Sequence, residues 1–86
     1  MKVLREKNKF YVKLNGEEAY LLFRVERNKM NIYKVFVPEK YRGKNIAKRL
    51  TIEALNYAKN NKMKVVPECS YIKEFINKSK QWTELI

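Results

Sequence analysis

Between Val35 and Leu50 the chain reads Val-Phe-Val-Pro-Glu-Lys-Tyr-Arg-Gly-Lys-Asn-Ile-Ala-Lys-Arg-Leu, which sets Arg42, Lys44, Lys48 and Arg49 around a single glycine, Gly43. A strand-like run stops at Pro38, a short polar loop follows, and a helical period starts at Asn45 or Ile46. The first turn of a helix has unpaired backbone N–H groups. Its dipole adds the equivalent of roughly half a positive charge at that end. Together these suit an anion such as a pyrophosphate. Gly43 would let the backbone approach such a ligand closely, and Asn45 is one of the few non-glycine residues that tolerates a left-handed conformation. Cations at a helix N-terminus oppose the dipole, so helix stability alone does not favour them. A bound anion reconciles them; the plainer alternative is a solvated loop in which Gly43 only makes the turn.

Composition narrows the chemistry further. The chain has no histidine and one cysteine, Cys69. Zinc sites of the finger or ribbon type are therefore excluded, as is any triad built on a histidine base. No metal site is expected. A lone thiol cannot staple the chain, so a reducing compartment is the simpler assumption, and the cytoplasm is the expected location. Met1-Lys2-Val3-Leu4-Arg5 is too short and charged to read as a signal peptide, and no apolar run is long enough to span a membrane. Twenty Lys and Arg against nine Asp and Glu give a formal net charge of +11. That excess favours an anionic partner without saying which one, and a merely solvated basic surface has the same composition.

The elements that must position these residues follow from periodicity. At 86 residues there is room for one domain, residues 1–86. Phe10 to Leu14 reads as a strand that stops at Asn15-Gly16, a strong hairpin signal. Glu17 to Glu26 is a second strand, with Ala19, Leu21, Phe23 and Val25 on one face and Tyr20 and Leu22 on the other. After an Arg27-Asn28-Lys29 turn, Asn31 to Val37 is a third strand, with Ile32, Lys34 and Phe36 opposite Tyr33, Val35 and Val37. Pro38 ends it. Ala47, Leu50, Thr51, Ala54, Leu55 and Ala58 then form the apolar stripe of a helix that stops near Asn60-Asn61. Met63 to Val66 is a short buried strand closed by Pro67. Ser70 to Lys78 is a second helix with Tyr71, Ile72, Phe75 and Ile76 inward. The tail docks back, with Trp82, Phe75 and Ile86 closing one end of the core. The predicted fold class is α+β: a mixed, mostly antiparallel sheet in the order β-β-β-α-β-α, with helices packed against it.

The loop and its surroundings resemble the GNAT superfamily of acyl-CoA N-acyltransferases. Arg42-Gly43-Lys44-Asn45-Ile46-Ala47 is similar to that family's pyrophosphate motif, Gln/Arg-x-x-Gly-x-Gly/Ala, with Asn45 in place of a glycine. Val37-Pro38, Tyr41-Arg42-Gly43, Ala54-Leu55-Asn56-Tyr57-Ala58 and Cys69-Ser70-Tyr71 resemble successive pieces of the small stand-alone members. The likeness runs from about Ile32 to Leu85. It implies acetyl-CoA (coenzyme A) as cofactor and transfer of an acetyl group to an amine, on a small molecule or a protein. It also implies that backbone groups of Val35, Phe36 and Val37 face the pantetheine arm and that the amides from Gly43 through Lys44, Asn45, Ile46 and Ala47 to Lys48 hold the pyrophosphate. Lys44, Lys48 or Arg49 would reach the nucleotide phosphates. Small relatives often carry a histidine in the third strand; here the position is Lys34.

Three roles stay open for Cys69. It can be a small core residue at a strand–helix junction. It can be a nucleophile that takes the acetyl group, its thiolate favoured by the following helix N-terminus. Or it can line the pocket of a direct transfer, in which Glu68 or a water takes the amine proton and Tyr71 protonates the leaving thiolate. Tyr71 is spaced with Phe75 as a core residue would be. Two other functions compete: a GNAT-like protein that binds coenzyme A without transferase activity, and a basic nucleic-acid-binding module that stacks bases on Tyr11, Tyr20 and Tyr33. The absence of an RNP-like or Gly-x-x-Gly signature disfavours nucleic acid. A monomer or a weak homodimer is expected, with no membrane partner.

Overall fold

A computed structural model describes residues 1–86. Five strands form one sheet in the order β1-β2-β3-β4-β5. They are β1 (Leu4–Glu6), β2 (Lys9–Leu14), β3 (Glu17–Glu26), β4 (Lys29–Phe36) and β5 (Lys64–Pro67). The first four are antiparallel neighbours, and β5 joins β4 in parallel. Between β4 and β5 lie a 3-10 turn, Glu39–Tyr41, and the helix α1 (Ile46–Asn60). After β5 come α2 (Ser70–Asn77) and a single helical turn, α3 (Lys80–Thr83). The α+β class and the mixed sheet agree with the sequence reading. The order differs from it by the added strand β1 and by α3. The three residues of β1, Leu4-Arg5-Glu6, are too few to show a period of two.

Local chemistry explains the connections. Asn15 and Gly16 both have positive φ (37° and 83°), as a tight hairpin turn requires, and Arg27 and Asn28 repeat the pattern at 49° and 65°. At the far end of α1, Lys62 rather than an asparagine takes the left-handed position, at φ 56°. The amide of Met63 then donates to the Ala58 carbonyl at 2.8 Å and that of Lys62 to Lys59 at 3.1 Å, which closes the helix with a Schellman motif.

The core contains 18 buried residues. From α1 it takes Ile46, Leu50, Ala54, Leu55 and Ala58, with Thr51 buried among them. Fully burying a leucine such as Leu50 or Leu55 stabilises by about 1.5–3 kcal/mol. From the sheet it takes Phe10, Val12, Ala19, Leu21, Phe23, Met30, Ile32 and Val65. All of these strand residues lie on one face. No side chain of the opposite face, which carries Tyr11, Tyr20, Leu22 and Arg24, is buried. Val25 was expected inside but is 49% exposed, one residue from the end of β3. Trp82 is buried as expected, but the tail closes through Leu85 and not Ile86. The amide of Val65 fixes that choice by donating to the Leu85 carbonyl at 2.7 Å. No helix is long and apolar enough to cross a membrane.

A bulge corrects the reading of the third strand. Leu22 pairs with Lys34 but Phe23 pairs with Ile32, so Tyr33 is an extra residue in β4. One extra residue reverses the alternation beyond it. Val35 and Val37 therefore turn toward the core, whereas Phe36 turns to the outer face and stacks on Tyr20 with ring centroids 5.3 Å apart.

Candidate functional site

The site begins where two parallel strands part. β5 pairs with β4 only as far as Ile32 opposite Pro67. The Glu68 amide then donates to the Ile32 carbonyl at 2.9 Å, and the chain turns into α2. Beyond that point the edge of β4 facing β5 has no strand neighbour. A cavity of about 450 Å³ opens there. Val35, Phe36 and Val37 form one wall, the segment from Tyr41 into the first turn of α1 forms another, and Tyr71 closes a third side.

The loop wall is built from backbone. Gly43 has φ +81°, and Asn45, the residue before α1, sits in the left-handed region at φ 64° and ψ 20°. That is the conformation for which asparagine is the best substitute for glycine. A Cβ placed on Gly43 would meet nothing within 4 Å, so the space above it is open. The Arg42 Nε donates to the Val37 carbonyl at 2.9 Å and so ties the loop to the end of β4. The first α1 amide with a backbone acceptor is Arg49, which donates to Asn45 at 3.1 Å. Asn45 makes no side-chain cap, and no acidic residue lies in the first turn. Six consecutive amides, Gly43 to Lys48, thus have no acceptor within the protein. Donors left this way at a helix N-terminus, in the positive field of the dipole, form an anion site.

The remaining candidates divide. Arg42, Asn45, Ile46, Ala47 and Lys48 line the cavity with Gly43. Lys44 does not; it lines a neighbouring cavity on the far side of Tyr41 and Ile46. Arg49 is exposed on the first turn of α1 and lines neither. Tyr71 lies in the cavity wall and is 39% exposed. Burial raises its phenol above the ordinary value of 10.0; the Thr51 hydroxyl pulls it back and the nearby Cys69 adds to the rise. Cys69 is the residue that precedes α2; it is half-buried against the core and outside the cavity wall. Glu68 is not brought to the cavity. Its carboxylate accepts from Asn31 Nδ2 at 2.8 Å and from Arg24 Nη2 at 3.4 Å. Asn31 is on β4 and Arg24 on β3, and Glu68 reaches them because it follows β5 at its last rung. Tyr41, to which the sequence reading gave no role, is a wall residue. Its place between Pro38 and Gly43 was the available signal.

A family model for the GCN5-related N-acetyltransferase matches residues 9–85. The chain belongs to this family. The GNAT domain is 32% identical to Protein NATD1 of zebrafish (Danio rerio) over 78 residues, 87% of this chain and 71% of that protein. The human and mouse NATD1 proteins are also 32% identical over 78 residues, again 87% of this chain and 69% and 71% of theirs. Among solved structures, the GNAT fold here matches the solution structure of a GCN5-like protein from Staphylococcus aureus. That match has a TM-score of 0.80 at 24% identity and covers 98% of this chain and 85% of the other. At that identity the likeness establishes the fold.

Proposed function

We propose that this GNAT domain binds acetyl-CoA and transfers its acetyl group to an amine. The observation that carries the reading is the run of six acceptor-free amides, Gly43 to Lys48, beside a cavity with apolar walls. Its volume of about 450 Å³ falls within the roughly 300–1,000 Å³ of ligand sites. The donors fit a pyrophosphate, and Lys48 and Arg42 add charge of the right sign. The unpaired edge of β4 from Val35 to Val37 fits an extended, amide-bearing arm.

When bound, acetyl-CoA supplies an acetyl group activated as a thioester. The loop amides from Gly43 to Lys48 would hold its phosphates, and the open edge of β4 would orient its arm. Tyr71 is protonated at neutral pH, its phenol raised further by burial, and it lines the cavity wall, where it would supply a proton to a thiolate leaving group. Glu68 is held by Asn31 and Arg24 and does not line the cavity, so the proton of the amine would pass to water. Cys69, half-buried in front of α2, supports a pocket-adjacent packing role and direct transfer. The lone thiol supports a reducing compartment, the cytoplasm. Titration of the protein with acetyl-CoA tests the reading.

A further inference from the structure

We propose, on the reading that the Gly43–Lys48 loop holds acetyl-CoA, that the acceptor is an amine carried by an acidic peptide that lies across the open face of the sheet. Leu4, Tyr11, Tyr20 and Phe36 are register partners across β1, β2, β3 and β4 and form one continuous row. Tyr20 and Phe36 are in ring contact at 5.3 Å. This row is on the face that carries no buried side chain, so it is free to receive a ligand. Phe36 is both the last member of the row and part of the cavity wall. A ligand laid along the row is therefore led to the place where the acetyl group is delivered. At about 4.8 Å between strands the row spans roughly 14 Å, the length of about four extended residues. That length suits a peptide better than a small amine.

Charge selects the kind of peptide. A free amine is a cation at pH 7, and the chain carries a net +11. Only three ion pairs engage its twenty Lys and Arg: Lys9–Glu18, Arg24–Glu68 and Lys40–Glu17. On the open face Lys13 and Lys34 are in no ion pair, and the Lys34 ammonium stands 6.0 Å from the Tyr20 ring centroid. A polyamine or a basic tail brings further positive charge into this field, whereas carboxylates beside the amine reverse the sign of the encounter. Glu6, Glu18 and Glu68 interrupt the cations of the face. That mixed pattern suits a peptide with spaced carboxylates and not a continuous phosphate chain.

The test uses two synthetic peptides with the same N-terminal amine and the same Tyr and Leu content. One carries four glutamates and the other four arginines; acetylation from acetyl-CoA is followed by mass spectrometry, with acetyl-CoA affinity measured by calorimetry on the same protein. The acidic peptide should show a kcat/KM about tenfold higher or more at low salt, with the advantage shrinking as ionic strength rises. Tyr20→Ser should lower kcat/KM for the acidic peptide by about fivefold and leave acetyl-CoA affinity unchanged. The proposal is overturned by equal or faster acetylation of the arginine peptide or of spermidine, or by an unaffected Tyr20→Ser variant. Acetyl-CoA binding without acetylation of either peptide also overturns it, as does preferential capture of a single-stranded oligonucleotide on this face. Absence of acetyl-CoA binding instead overturns the cofactor reading beneath it.

Discussion

The Glu68 amide donates to the Ile32 carbonyl at 2.9 Å, and this is the last rung between the two parallel strands. The residue after Ile32 is the bulged Tyr33, and the strands part there. The bulge turns Val35 and Val37 inward, the end of β5 at Pro67 leaves the edge of β4 without a neighbour, and Glu68 is drawn away toward Arg24 and Asn31. One hydrogen bond thus marks where pairing ends and the cavity begins.

Backbone conformation at the loop should govern acetyl-CoA affinity. At φ +81° a β-branched residue in place of Gly43 is strained by about 1–2 kcal/mol, and its side chain enters the open space above the amides. Gly43→Val should therefore weaken binding by about tenfold or more while the far-ultraviolet circular dichroism stays that of the folded domain. Asn45→Gly keeps the left-handed position available and should bind as well as the parent. Equal affinity for Gly43→Val would remove the pyrophosphate assignment.

Tyr71 should matter for turnover and little for binding. Tyr71→Phe removes the phenolic proton but keeps the ring, so transfer should fall by about a hundredfold, with acetyl-CoA affinity within about twofold. The phenol also leaves a mark on stability. Its folded value is raised above 10.0, so the contribution is fully present below that pH and is lost as pH rises through the folded value. Thermal scans between pH 9 and pH 11.5 should show a steeper loss of stability in the parent than in Tyr71→Phe.

Cys69→Ala should retain transfer within about threefold, because the thiol lies outside the cavity wall and the direct route needs no covalent intermediate. Intact-mass analysis of the parent during turnover should show no acetylated protein. Loss of all transfer in Cys69→Ala, with an adduct on the parent, would assign the thiol as nucleophile instead.

Much of this organisation was legible in residue types. Asn15-Gly16, Pro38 and the stripe from Leu50 to Ala58 fixed the first hairpin, the end of β4 and the inward face of α1. Gly43 and Asn45 foretold two positive-φ positions. What stayed hidden depended on tertiary pairing. A bulge at Tyr33 changes no residue type, so alternation read straight through it placed Phe36 with Ile32. Glu68 stood beside Cys69 in sequence and read as catalytic, yet its partners Asn31 and Arg24 are distant in the chain. Leu85 and Ile86 were interchangeable by composition, and only the backbone bond from Val65 distinguishes them.

That bond makes the tail part of the folded domain. Leu85 is 7% exposed, and truncating a buried leucine costs about 2–5 kcal/mol. Leu85→Ala should lower the thermal midpoint by at least several degrees, whereas Ile86→Ala, at a residue 55% exposed, should leave it nearly unchanged. Differential scanning calorimetry of the two variants separates them.

The most direct test of the central claim is isothermal titration of the protein with acetyl-CoA at about 0.15 M salt, where non-specific attraction to a +11 surface is screened. The six free amides from Gly43 to Lys48 predict saturable one-to-one binding that Gly43→Val weakens. The absence of saturable heat, or binding that the Gly43 variant retains in full, would contradict the account.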